Sequence, residues 1–252
     1  MRTPLRCFLF SFLVCGLAYA QIDTITILHV NDTHSNLLPS GPRDAGTLAQ
    51  NAGGIARLST YLEESRADDP DLLFLHAGDA SVGDLMYNAL LGMLELELLE
   101  TMGLNAMALG NHEFDLGAPI LEAVLDSANV SFPLLSANFT LLDSTLASLD
   151  LRVMPETIFD VKGHKIGVFG LTTPTTNILS NAYPYVAFAD TLIPDLASAS
   201  VQSLRAQGCE AVILLSHLGL NGDILIAEQI PGVDLIIGGH DHRAMDAPLY
   251  ID

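Results

Sequence analysis

Residue types that hold metal ions recur in this chain at one kind of place. Asp32 and His34 follow the apolar run Ile22–Val30, Asp79 follows Leu72–His76, and Asn111 with His112 follows Ala106–Leu109. His217 follows Ala211–Leu215, and His240 and His242 follow Val233–Ile237. Each alone has a plainer reading: a hydrogen-bonded histidine, a Gly78-Asp79 turn, an asparagine capping the next helix. Together Asp32, His34, Asp79, Asn111, His217, His240 and His242 offer two carboxylates, an amide and four imidazoles, enough for two divalent ions with one carboxylate bridging. Ions about 3.5–4 Å apart suit phosphate ester hydrolysis, because they generate hydroxide near neutral pH and stabilise charge on the phosphoryl oxygens. Mixed nitrogen and oxygen donors favour zinc, manganese, iron or cobalt over a calcium cage. The Asp-x-His and His-x-His spacings predict extended segments whose alternate side chains point the same way. His112 can bind a metal or move a proton, and Asp115, three residues on, is close enough to hold its ring. His29, His76 and His164 are read as structural or surface residues.

Such residues need strands that end together. The five apolar runs read as strands, and ligands in open α/β sheets gather where strands end and loops begin. Between them the pattern predicts a helix over Gly54–Arg66, with Ile55, Leu58, Tyr61 and Leu62 on one face. It predicts a single apolar helix over Asp84–Met102 stopped by Gly103, and helices over Leu116–Ser127, Leu192–Gln207 and Asp223–Gln229. Leu37–Asn51 reads as loop and Phe132–Ala137 as a strand closing on Asn138. Thr157–Val161 and Lys165–Leu171 read as a hairpin turning at Lys162-Gly163-His164. Repeated strand–loop–helix units make the fold class α/β.

Half of the 252 residues are hydrophobic, enough for a sizeable core. The first twenty form a separate segment: Arg2 and Arg6, apolar Phe8–Leu17, then Ala18-Tyr19-Ala20 as a small-x-small cleavage site. This is read as a secretory signal peptide, residues 1–20, with Gln21 the mature start and no membrane association after cleavage; the apolar run is too short to span a bilayer. Its removal takes Cys7 and Cys15, so Cys209 stands alone and no internal disulfide forms. The net charge of −20 argues against a nucleic acid polymer as partner. A small phosphate ester is still admissible, since bound cations reverse the sign locally.

Asp32-x-His34, Gly78-Asp79, Gly110-Asn111-His112-Glu113, Ser216-His217 and Gly239-His240-x-His242 resemble, in order, the five motifs of the calcineurin-like metallophosphoesterases. Ile27–His34, Gly110–Asp115 and Phe132–Asn138 are similar to the secreted 5′-nucleotidase and UDP-sugar hydrolase branch. The resemblance implies a four-layer β-sandwich of two mixed sheets flanked by helices. It implies that Asp32, His34 and His242 hold one metal, Asp79 bridges, and Asn111, His217 and His240 hold the other. A metal-activated water would attack phosphorus, assisted by a His112–Asp115 dyad. Many close 5′-nucleotidases have glutamine at the position of His242, which bears on metal preference. The implied activity is periplasmic or extracellular hydrolysis of nucleotide phosphate monoesters, with 2′,3′-cyclic phosphodiesterase/3′-nucleotidase and thiosulfohydrolase activities as alternatives. The family's 5′-nucleotidases carry a C-terminal domain that stacks the base, whereas this chain stops ten residues after His242. Residues 21–252 are therefore expected to form a metal domain lacking its last strands, and a non-catalytic metal-binding fragment is the alternative of another class.

Overall fold

The computed structural model describes residues 23–39, 53–83 and 85–251. The expected signal segment, Gln21, Cys7, Cys15 and most of the expected loop at 37–51 lie outside the described residues. Two sheets stand face to face. The first runs β1 (Ile27–Val30), β2 (Leu73–His76), β3 (Ala106–Ala108), β4 (Leu134–Leu135) and β6 (Val153–Met154), in that spatial order. All of its pairings are parallel, where two mixed sheets were expected. The second has the order β11 (Leu235–Gly238), β10 (Ala211–His217), β8 (His164–Thr172), β7 (Glu156–Val161). It is mixed: β8, β10 and β11 are parallel, while the expected β7–β8 hairpin adds an antiparallel edge.

Alternation along the strands separates three apolar layers. Leu73, Leu75, Ala106, Ala108 and Leu135 face Ile166, Val168, Ile213, Leu215 and Ile237 between the sheets. The intervening side chains point outward, as a period of two requires. Phe74, Met107 and Leu109 pack under α1 (Ile55–Asp68), α3 (Met93–Thr101) and α4 (Ala118–Ala128). Phe169, Leu171, Val212 and Leu214 pack under α7 (Ile193–Ala206) and α8 (Leu220–Gln229). The buried residues of α4, Ala118, Leu121, Val124, Leu125 and Ala128, recur at helical spacing. The result is the expected four layers, helix–sheet–sheet–helix.

Several boundaries differ from the sequence pattern. The first strand begins at Ile27 rather than Ile22, because pairing with β2 starts at Leu73. The single helix expected over Asp84–Met102 is two, α2 (Leu85–Leu90) and α3, broken where Leu91 and Gly92 both take positive φ. The strand expected over Phe132–Ala137 keeps only Leu134 and Leu135 in its ladder. The helix after Asn111 begins late: His112–Phe114 is first a 3-10 turn, and α4 starts at Ala118. Five short elements were not anticipated: α5 (Ala147–Arg152), α6 (Thr176–Leu179), the edge strand β6, and the antiparallel pair β5 (Phe139–Leu141) with β9 (Val186–Phe188).

Candidate metal centre

The C-terminal ends of β1, β2, β3, β10 and β11 open on one region, and each delivers the residues that the sequence singles out. Three overlapping groups of ligand atoms form there: Asp32, His34 and His242; His34, Asp79 and His112; Asp79, His217 and His240. Within each group the atoms lie within 4.8 Å of one another. His34 Nε2 stands 2.9 Å from His242 Nε2 and 3.9 Å from Asp79 Oδ2, while His242 Nε2 is 3.6 Å from Asp32 Oδ1. On the other side His217 Nε2 is 3.0 Å from Asp79 Oδ2, and the rings of His217 and His240 are 5.1 Å apart. Asp79 thus belongs to two groups and sits between them.

The side chains do not converge as alternate residues of extended strands. Asp32, His34, Asp79, His240 and His242 all have positive φ, from 45° to 78°. They lie on left-handed turns, a backbone state that costs a non-glycine residue of order 1 kcal/mol and gathers at functional sites. Glycine supplies the remaining close approaches. A Cβ on Gly110 would fall on the Asp79 carboxylate, and one on Gly78 would meet His217 and the Gly110 backbone.

Hydrogen bonds around the cluster set which imidazole nitrogen is free. His34 Nδ1 is 3.0 Å from Val82 O and 3.2 Å from Ser81 O, and His217 Nδ1 is 2.7 Å from Ala77 O. Each Nδ1–H donates to a carbonyl, leaving Nε2 as the ligand atom. The Asp32 carboxylate accepts the His240 amide at 3.0 Å, joining the β1 and β11 ends across the two sheets. Asp79 Oδ1 accepts the His112 amide at 2.9 Å. Behind the cluster, Gly78 N–H donates to His76 Nδ1 at 3.1 Å, so Nε2–H donates to Thr33 Oγ1 at 2.9 Å. Burial holds His76 down at about 3, so it stays neutral. His76 is structural as expected, His29 is exposed on β1, and His164 lies at the opposite end of the strands, between Asp23 and Glu210.

Two atoms ask for a cation. Asn111 Oδ1 and His217 Nε2 are buried and make no hydrogen bond among the described residues; the approach of His217 to Asp79 is close but off line. A buried polar atom left unpaired costs about 1–3 kcal/mol, and an ion removes that cost, meeting Asn111 Oδ1 directly and His217 Nε2 once its proton has left. Ligand atoms about 2.1 Å from one ion lie some 3.0–3.5 Å apart; the closest pairs here, at 2.9 and 3.0 Å, meet that spacing and the others, at 3.6–4.0 Å, need only a small contraction. The donor set therefore fits divalent ions. Without them, burial opposes charge on Asp79, but His217 and the His112 amide outweigh it and hold the carboxyl at about 2. Burial likewise opposes charge on His217, yet Asp79 pushes it up to about 9, and burial lowers His240. A proton on His217 is what an incoming ion displaces.

His112 stands at the rim. Its ring meets that of His34 edge-on with centroids 5.1 Å apart, and its Nδ1 is 2.7 Å from Asp115 Oδ2. That hydrogen bond raises the imidazole above its ordinary value.

Residues 25–244 match the model of the calcineurin-like phosphoesterase family. The chain belongs to that family. Among characterised phosphoesterase relatives it is 40% identical over 220 residues to a 5′-nucleotidase of Diplobatis ommata, which covers 86% of this chain and 37% of that protein. It is 32% identical over 250 residues to the trifunctional nucleotide phosphoesterase protein YfkN of Bacillus subtilis, covering 88% of this chain and 16% of that one. The fold superposes on the 5′-nucleotidase precursor from Thermus thermophilus with a TM-score of 0.78 at 37% identity, covering 86% of this chain and 42% of that one. The chain thus spans less than half the length of each. Glu113 is a residue to which sequence reasoning assigned no role, although it closes the Gly110-Asn111-His112-Glu113 motif. Its carboxylate is buried beneath the cluster among backbone N–H groups.

Proposed function

We propose that this domain hydrolyses phosphate monoesters of nucleotides, as a metal-dependent phosphoesterase of the 5′-nucleotidase type. The observation that carries the reading is a chain of three overlapping ligand groups, in which His34 links Asp32 and His242 to Asp79, and Asp79 links on to His217 and His240, with the His112–Asp115 pair beside them. Asp32, His34 and His242 would hold one ion, Asn111, His217 and His240 the other, and Asp79 would bridge. Zinc, manganese, cobalt and iron suit these donors. Such ions supply the Lewis acidity that draws hydroxide from water and offsets phosphoryl charge.

The chain's own residues do the rest. The carbonyls of Ala77, Ser81 and Val82 keep His217 and His34 in the ligating tautomer. Asp115 binds the Nδ1 proton of His112 and stabilises the cationic ring, so Nε2–H is available to a phosphoryl oxygen or to the departing ester oxygen. In the overall reaction water adds to phosphorus, the P–O ester bond breaks, and the alcohol leaves with the proton. The likeness to YfkN, a trifunctional nucleotide phosphoesterase, favours a second reading, hydrolysis of other nucleotide phosphoesters. We further infer that residues 1–20 direct export to the periplasm or outside the cell, and that residues 21–252 are the metal domain of a longer architecture. Among the described residues no helix is long and apolar enough to cross a membrane.

The test is phosphate release from AMP, a 2′,3′-cyclic nucleotide and an aryl phosphate, with manganese, zinc or chelator. Metal-dependent release from AMP well above aryl phosphate supports the first reading, and preference for the cyclic ester supports the second. No release with metal bound leaves the non-catalytic alternative.

A further inference from the structure

Glu113 immediately follows the dyad histidine, yet among the described residues the hydrogen bonds of its carboxylate all go to backbone N–H groups. It is buried and accepts four backbone N–H groups from two loops. Oε1 takes Ala80 at 2.9 Å and Ser81 at 3.3 Å. Oε2 takes Asp79 at 3.0 Å and Gly110 at 2.8 Å. The loop after β2 turns through positive φ at Gly78 and Asp79, so the amides of Asp79, Ala80 and Ser81 turn toward Glu113 instead of a neighbouring strand. A buried N–H must find an acceptor, and only an ionised carboxylate offers four acceptor sites and no donor.

Oε2 has a second effect, because it joins the amide of Asp79 to the end of β3. That end in turn carries the His112 amide to Asp79 Oδ1. The aspartate is therefore gripped twice by one segment, at its backbone through Glu113 and at its carboxylate through His112. We propose that Glu113 is the positioning residue of the bridging carboxylate: it fixes the β2 loop against the β3 loop so that Asp79 faces both ligand groups at once. This rests on the two-metal reading above. It separates Glu113 from a general fold anchor, because the residue controls the coupling between two half-sites whose other ligands come from β1, β3, β10 and β11.

Glu113→Gln tests the role. Glutamine keeps one oxygen and places an NH2 against two of the four N–H donors, so one loop must move. The 252-residue chain, stripped of metal and titrated with manganese, is read by paramagnetic resonance, which distinguishes two spin-coupled ions from isolated ones, and by calorimetry. Wild type should bind two ions with a coupled spectrum. The variant should retain its first ion, bind the second about 10–100-fold more weakly, as loss of a ligand-orienting partner typically does, and show isolated-ion lines. Two ions bound with wild-type affinity and coupling would overturn the role of Glu113. Absence of binding by the wild type would instead overturn the metal reading itself. Glu113→Asp, which keeps the charge but is one methylene shorter, is read the same way if the glutamine variant does not fold; failure of both to fold would assign Glu113 to folding and reject the positioning role.

Discussion

Asp115 makes the difference between His112 and an ordinary surface histidine. The 2.7 Å contact fixes the ring tautomer and raises its proton affinity, while the ring itself sits 5.1 Å from that of His34. Under the proposed function, a side chain in that place would contribute to turnover without being needed to fill a coordination shell. Replacing His112 with asparagine should therefore lower kcat by about 10²–10⁴-fold, the range for losing one proton-transfer group. Bound manganese, measured by equilibrium dialysis, should stay as in the wild type. Loss of both metals would make His112 a ligand and not an acid. At this scale the residues that gather in the cluster were legible, because aspartate, asparagine and histidine after apolar runs carry their chemistry in their names. The route of convergence was not: left-handed turns at Asp32, His34, Asp79, His240 and His242 follow from loop closure across two sheets, which residue spacing does not encode. Glu113 stayed hidden for a related reason, since its partners are backbone amides and almost any residue has one.

Among the elements, the entry to β1 and the starts of β8 and β10 are tied together far from the metal cluster. His164 Nε2 meets Asp23 at 3.0 Å and Nδ1 meets Glu210 at 2.9 Å. Nearby cations are already engaged, Lys162 with Asp69 and Thr24 O, and Lys165 with Gln207 O. The two carboxylates, Asp23 first, raise His164 above the ordinary histidine value of 6.5. A raised folded value contributes stability that is complete below about 6.5 and is lost as pH rises through the raised value. The stability difference between wild type and His164→Gln, from urea midpoints, should therefore be larger at about pH 6 than at about pH 9. An equal difference at both would show that the bridge carries no charge. The hairpin holding His164 was legible from its Lys-Gly turn, as were the five strand ends. The break between α2 and α3 was not, because leucines on every face conceal a kink that two left-handed residues introduce. The β5–β9 pair was equally hidden: Phe139 meets Phe188 through tertiary contact, and neither three-residue strand has a pattern long enough to read.

For the molecule as a whole, the proposed ligands belong to two different sheets. Asp32, His34, Asp79 and Asn111 come from β1, β2 and β3, whereas His217, His240 and His242 come from β10 and β11. Unfolding separates them, so ions that bind only the folded chain stabilise it by mass action. At a metal concentration about 100 times the dissociation constant the gain is about 2.7 kcal/mol per site. For a chain of this length each kcal/mol moves the melting temperature by about 2–4 °C. Manganese or zinc should therefore raise the melting temperature by roughly 5–10 °C per site filled, and a chelator should reverse the shift. Magnesium should do much less, since imidazole-rich sites suit it poorly. The size of the shift also reports the architecture. Asp79 belongs to two ligand groups and His242 to one. Asp79→Asn should thus remove more of the metal-induced shift than His242→Ala, even though His242 is the more exposed side chain. Equal losses in the two variants would mean that the ions bind independently and that the carboxylate between them does not couple the sheets.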